Sequence, residues 1–128
     1  RDLSTRQPSG GSPARSDGAH RKANDGDTSQ KHPSEYHFDA LRAGDASHSY
    51  WWVRLRRLAV DPEVKLWPRD CCSESFGHRL WLLLSNTTDR EAAVECAALD
   101  IADGEMRSTV CRGAGEYLFV EARAEGGW

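Results

Sequence analysis

The sequence predicts a mainly β fold, a small antiparallel β-sandwich or meander that follows a polar N-terminal tail. Three observations carry this expectation. Apolar-rich runs recur at roughly 50–60, 63–67, 79–85, 91–101, 105–112 and 116–124, with turn residues between them. Asp103-Gly104 stands between two of these runs, and Asp-Gly suits a type I′ hairpin turn, in which both central residues need positive φ. The run Arg79-Leu80-Trp81-Leu82-Leu83-Leu84-Ser85 is apolar on both faces, as expected of a central strand covered from both sides.

Residues 1–47 divide from the rest by composition. Leu3, Tyr36, Phe38 and Leu41 are the large apolar side chains among Ser, Gly, Asp, Arg and Pro, too few to offset the entropy of ordering such a segment. The expectation is a flexible tail over 1–47 and a compact β-rich domain over 48–128. Four of the five histidines, His20, His32, His37 and His48, lie in or beside the tail, but their spacing matches no compact ligand set. The chain opens on Arg1 rather than Met, as a processed or excised chain would.

Taken in order, the first run alternates. Trp51, Val53, Leu55 and Ala59 share one face, interrupted by Arg57, while Tyr50, Trp52, Arg54 and Arg56 share the other with Leu58. Asp61-Pro62-Glu63 is a turn signal, and Val64-Lys65-Leu66-Trp67 a short strand that Pro68 ends. Arginines beside aromatics make Trp51, Trp52, Arg54, Arg56, Arg57 and Trp67 the candidate binding residues. Bases stack on aromatics while guanidinium groups hold phosphate, so this segment could serve RNA or single-stranded DNA. The chain has a net charge of −3, and residues 70–128 hold most of the excess acid. Nucleic acid is therefore disfavoured, and the arginines of 54–57 are expected to pair with the acidic half of their own domain.

The Asp103-Gly104 turn sets a register for the runs on either side. It places Cys96 opposite Cys111, Glu95 opposite Arg112 and Asp100 opposite Arg107. Strict alternation then divides Ala97, Leu99 and Ile101 from Val94, Cys96 and Ala98. The rival is an α+β domain with a helix at about 89–102. Thr88 with Glu91 fits a capping box, and the segment is rich in alanine, a strong helix former. The final run alternates as well, with Tyr117, Phe119 and Glu121 against Leu118, Val120 and Ala122.

Four cysteines, Cys71, Cys72, Cys96 and Cys111, allow three pairings, and the hairpin register selects Cys96–Cys111 as the candidate disulfide, leaving the connectivity of Cys71 and Cys72 open. Asn86-Thr87-Thr88 is an N-glycosylation sequon in a turn. Together they point to a secreted or extracellular chain. No apolar run approaches the roughly 18–20 residues of a membrane span. No motif announces a catalytic site, a metal or a cofactor. The function expected is therefore a non-enzymatic module that binds another protein, with Trp52, Trp67 and Trp128 as exposed contacts. The alternative is a structural subunit of a large intracellular assembly, its tail and its Arg54–Arg57 segment touching RNA or neighbouring proteins, with its cysteines reduced.

Overall fold

The computed structural model describes residues 3–4, 6–11, 48–67, 79–102 and 104–123. Its strands in chain order are β1 (Ser9–Gly11), β2 (His48–Val60), β3 (Glu63–Leu66), β4 (Arg79–Ser85), β5 (Val94–Asp100), β6 (Arg107–Val110) and β7 (Ala114–Arg123). They form two antiparallel sheets, one ordered β1-β2-β7-β4-β5 and a smaller one of β3 and β6. The expected runs are strands, and the architecture is the sandwich rather than the meander. The last strand inserts between β2 and β4, so both of its neighbours in the sheet are distant from it in sequence. No helix of the described residues is long and apolar enough to cross a membrane.

Period-2 alternation builds the core. Trp51 and Val53 of β2 lie beside Val120 and Leu118 of β7, which in turn face Leu82 and Leu84 of β4. These side chains, with Leu55, Ala59, Val64 and Cys111, form one buried cluster between the sheets. β4 is central, as its double apolar pattern required, for Leu83 on the opposite face is as buried as Leu82 and Leu84. That outer face carries Trp52, Phe119 and Leu83 in one row and Tyr50, Glu121 and Trp81 in the next. Phe119 and Glu121 are fully buried there.

A buried carboxylate needs a partner, because an unpaired charge in a low-dielectric interior is strongly unfavourable. Arg90 supplies it. Its Nε donates to Glu121 Oε2 at 2.6 Å and its Nη2 to Oε1 at 2.9 Å. The hydrogen bond to Glu121 raises the Arg90 pKa above its ordinary value, against the opposing effect of burial.

The helix considered for 89–102 is present only as a single 3-10 turn, Arg90–Ala92. Asp89, not Thr88, caps it, its carboxylate accepting from Glu91 N at 2.9 Å, while Thr87 Oγ1 accepts from Asp89 N at 3.2 Å. The chain becomes extended at Ala93 and pairs with β4 from Val94. Alanine's helical preference is a fraction of a kcal/mol per residue, roughly 0.5, and a full ladder against β4 outweighs it.

The Ala102–Glu105 turn closes, with Glu105 N donating to Ala102 O at 3.2 Å and Gly104 in the left-handed region at φ 71°. It does not zip the strands on either side into a hairpin. β5 spends its ladder on β4 and β6 spends its ladder on β3, so the turn is a corner between sheets. Glu95–Arg112 and Asp100–Arg107 are accordingly not the pairs that form. Asp100 bonds Arg79 at 2.8 Å, and Arg112 lies 3.7 Å from Asp61.

Cys96 and Cys111 are nevertheless disulfide-bonded, with Cα atoms 4.9 Å apart. A bulge explains how. Leu82 pairs with Ala97 and Leu83 with Glu95, so Cys96 is the extra residue and strict alternation breaks there. Cys96 and Ala97 both reach the core cluster, and the bond ties the edge of the large sheet to the small one.

The head of the expected tail belongs to the fold. β1 pairs with β2 through Ser9–Val53, Gly10–Trp52 and Gly11–Trp51, and Leu3 packs on the core. This departs from the expectation for residues 3–4 and 6–11. Their own composition is polar, but β2 offers them a long unpaired edge. Residues 1–2, 5 and 12–47, the remainder of the expected tail, lie outside the described residues, as do Cys71, Cys72, Asp103 and Trp128.

Two predictions follow from the packing. Replacing Cys96 and Cys111 together by serine should cost about 2–4 kcal/mol in chemical denaturation, and peptide mapping without reductant should recover a linked Cys96/Cys111 peptide from the parent chain. Arg90→Met should cost about 3–5 kcal/mol by removing the guanidinium bound to the buried Glu121 carboxylate, and Arg90→Met with Glu121→Leu should regain much of that loss in the same assay. Additive losses in the double variant would contradict the pairing.

Candidate functional site

The antiparallel arrangement gives the sandwich two poles. At one, β3, β5 and β7 end while β2, β4 and β6 begin, which gathers Trp67, Arg79, Asp100, Glu105, Met106 and Arg107. At the other lie the β2–β3 turn, residues 86–93 and the Arg112–Gly113 corner.

The far pole is stapled by backbone. Asp61, held at φ 46°, donates its N–H to Gly113 O at 2.7 Å and accepts from Gly113 N at 2.8 Å through its carboxylate. Cys111 N also donates to Pro62 O at 2.9 Å.

The first pole instead presents side chains. Trp67, just past β3, is 45% exposed, and Met106 is equally open. Arg79 Nε donates to Asp100 Oδ1 at 2.8 Å in the exposed mouth between β4 and β5. That hydrogen bond, with the charge of Arg79 and a smaller effect from Arg107, holds the Asp100 carboxyl below its usual range. Arg107 Nη2 stands 3.7 Å from Glu105 Oε2, while its Nε is buried without a hydrogen-bond partner among the described residues. Guanidinium donors in a fixed fork, a carboxylate acceptor and a flat apolar indole together suit a ligand with one apolar face and several polar groups.

The expected binding residues are not one site. Trp51 is 6% exposed and belongs to the core, a correction dictated by the same alternation that buries Val53 and Leu55. Trp52 is half-buried on the outer face, edge-on to Tyr117 with centroids 5.6 Å apart. Its indole lies over Gly10, where an added Cβ would come within 2.6 Å of the ring. Arg54, Arg56 and Arg57 are exposed beyond it, in a stretch where β2 departs from regular pairing between Arg54 and Ala59. Arg54 and Arg57 make no ion pair among the described residues, so the expected pairing with the acidic half is not made by these two. Asn86 is exposed in the turn after β4, at the far pole. Trp67 alone of the expected set is at the first pole. Local pattern does not mark Arg79, Asp100 and Arg107 as a group; the strand pairing brings them to one end, although their positions at the ends of apolar runs are visible in the sequence.

No family model matches the chain, and no curated protein matches it in sequence. Solved structures do share its fold. A fucose binding module of Streptococcus pneumoniae, SpX-3, superposes with a TM-score of 0.73 at 16% identity, over 98% of this chain and 89% of that one. A serum fucolectin of the striped bass, Morone saxatilis, gives 0.79 at 17% identity, over 98% of this chain and 43% of that one. A family 32 carbohydrate-binding module from Clostridium perfringens NanJ, in complex with galactose, gives 0.68 at 13% identity, over 94% and 84%. At these identities the likeness is one of fold.

The Arg79–Asp100 contact has a measurable consequence. A carboxylate with a depressed folded pKa adds stability above its unfolded pKa of about 3.9, and that increment is lost as pH falls through the folded value. Carboxyl-carbon NMR should show Asp100 titrating below the ordinary aspartate range, and Arg79→Met should move it upward. An unmoved Asp100 in the variant would contradict the contact.

Proposed function

We propose that the chain is a non-catalytic carbohydrate-binding module whose first pole takes a neutral sugar of the fucose or galactose kind. The observation that carries this reading is the likeness in fold to fucose- and galactose-binding modules over nearly the whole chain. The chemistry of the pole supports it. A pyranose presents an apolar face, which an exposed indole such as Trp67 can cover, and a rim of hydroxyls that both donate and accept. Arg79 and Arg107 supply donors and Asp100 an acceptor, and hydrogen bonds to charged groups are the stronger kind. The protein partner expected from the sequence has no support among these structures, and a glycan replaces it.

An extracellular setting accords with this function. The Cys96–Cys111 bond suits an oxidising compartment, and the intracellular-assembly alternative needs those cysteines reduced. Asn86, exposed at the far pole, is the residue such a compartment would glycosylate, away from the sugar-binding end.

A glycan array followed by calorimetric titration with free fucose and galactose tests the reading. Trp67→Ala and Arg107→Met should each weaken the titrated sugar by about tenfold or more, equivalent to about 1.4 kcal/mol, without loss of folding. A folded protein that binds no arrayed glycan would defeat the proposal.

A further inference from the structure

We propose that the outward face of the small sheet continues the sugar pole, so that the module's ligand is an oligosaccharide whose further residues lie along β3 and β6. The register of the two strands lays this face out. Val64 is buried and Leu66 packs on the core, so Glu63 and Lys65, which alternate with them, point away from it. Their cross-strand partners are Val110 and Ser108, and all four residues are exposed. The same count, carried one step past the last ladder pair of Leu66 with Arg107, sets Trp67 beside Met106. Both of these are 45% exposed. Arg107 shares the inward side with Leu66, toward Asp100 and the mouth between the sheets.

Three cross-strand rows make up this face. At the pole end it is apolar, with Trp67 and Met106. In the middle it is polar, where Ser108 Oγ donates to Glu63 Oε2 at 2.8 Å beside Lys65. At the far end it turns apolar again with Val110, 38% exposed. Residues on one face of a strand recur at about 6.5–7 Å, so the rows from Trp67 to Glu63 span about 13–14 Å. The ladder between β3 and β6 consumes the backbone, and a ligand lying on this face meets side chains.

The order of these rows selects the ligand. A single pyranose that covers Trp67 leaves Lys65, Ser108 and Val110 unused. Linked pyranoses repeat one pair of surfaces, an apolar ring face and a rim of hydroxyls, and so match a face on which apolar contacts alternate with donors and acceptors. Lys65 supplies donors, Ser108 a hydroxyl and Glu63 an acceptor. The Glu63 carboxylate in the polar row also disfavours a polyanion, by like-charge repulsion. The choice of a carbohydrate over an uncharged peptide rests on the proposed function above, whose pole this face extends.

The test titrates the full chain with galactose and galactotetraose, and with fucose and a linear tetrasaccharide ending in fucose. For the terminal sugar that binds, the tetrasaccharide should bind about tenfold or more tightly than the monosaccharide. Lys65→Ala with Val110→Ser should abolish that advantage while leaving the monosaccharide Kd and the melting temperature unchanged. In amide NMR of the parent chain, the tetrasaccharide but not the monosaccharide should shift Lys65, Ser108 and Val110. Equal affinity for the two lengths, an advantage indifferent to the double substitution, or shifts confined to the first pole would each overturn the inference while leaving the pole's function standing. Absence of binding to all four sugars would remove the proposed function, and this inference with it.

Discussion

The Cys96–Cys111 bond is the constraint on which the two-layer arrangement depends. The smaller sheet consists of two four-residue strands, and it contributes Val64 and Leu66 to the interior while Val110 faces outward. A two-stranded ladder of that size is marginal by itself in water. The disulfide anchors the end of β6 to the edge strand of the large sheet, and the Asp61–Gly113 and Pro62–Cys111 hydrogen bonds fasten the same corner. With one pole closed in this way, the two sheets are held at fixed spacing and the opposite pole is free to carry side chains rather than ladder.

The large sheet solves a different problem. β7 lies between β2 and β4 and is buried on both faces, with Leu118 and Val120 inward and Phe119 and Glu121 outward. A carboxylate in that position obliges the β4–β5 connection to bring Arg90 over the sheet, and the 3-10 turn at Arg90–Ala92 is the shape the chain takes to do so. The ion pair thus sets the path of a loop as well as neutralising a charge, a role for which buried pairs are better suited than for net stabilisation.

This division of labour separates three surfaces. The stapled pole holds the layers together, the open pole gathers an indole, guanidinium groups and a carboxylate at strand ends, and the β2 edge displays arginines where regular pairing lapses. Polar ligands bind where strand ends and their loops converge, because a rigid sheet positions side chains that the ladder does not consume. The β2 edge is less regular: where its pairing lapses between Arg54 and Ala59, Arg57 and Leu58 are exposed, whereas Trp51 and Val53 in the regular part are buried.

Local pattern in the sequence determined the strands. Alternation in 50–60 and 117–122, the doubly apolar run 79–85 and the turns at Asp61-Pro62 and Asp103-Gly104 were legible because burial and φ preference act within a few residues. Even the disulfide partners were legible, though through a hairpin register that does not form. The tertiary structure decided what local pattern does not encode. Which strand takes which edge depends on competition among ladders, and β5 and β6 each found a better partner than the other. The bulge at Cys96 shifted the alternation by one residue, and the open edge of β2 recruited Leu3, Pro8 and Ser9–Gly11 despite the polar composition around them. Arg79, Asp100 and Arg107 share a pole because β4 and β6 begin there and β5 ends there, and Trp67 joins them only through the ladder of β3 with β6. Pairwise local energies define elements; the assembly of a site is a long-range outcome of how their unpaired edges and apolar faces are satisfied together.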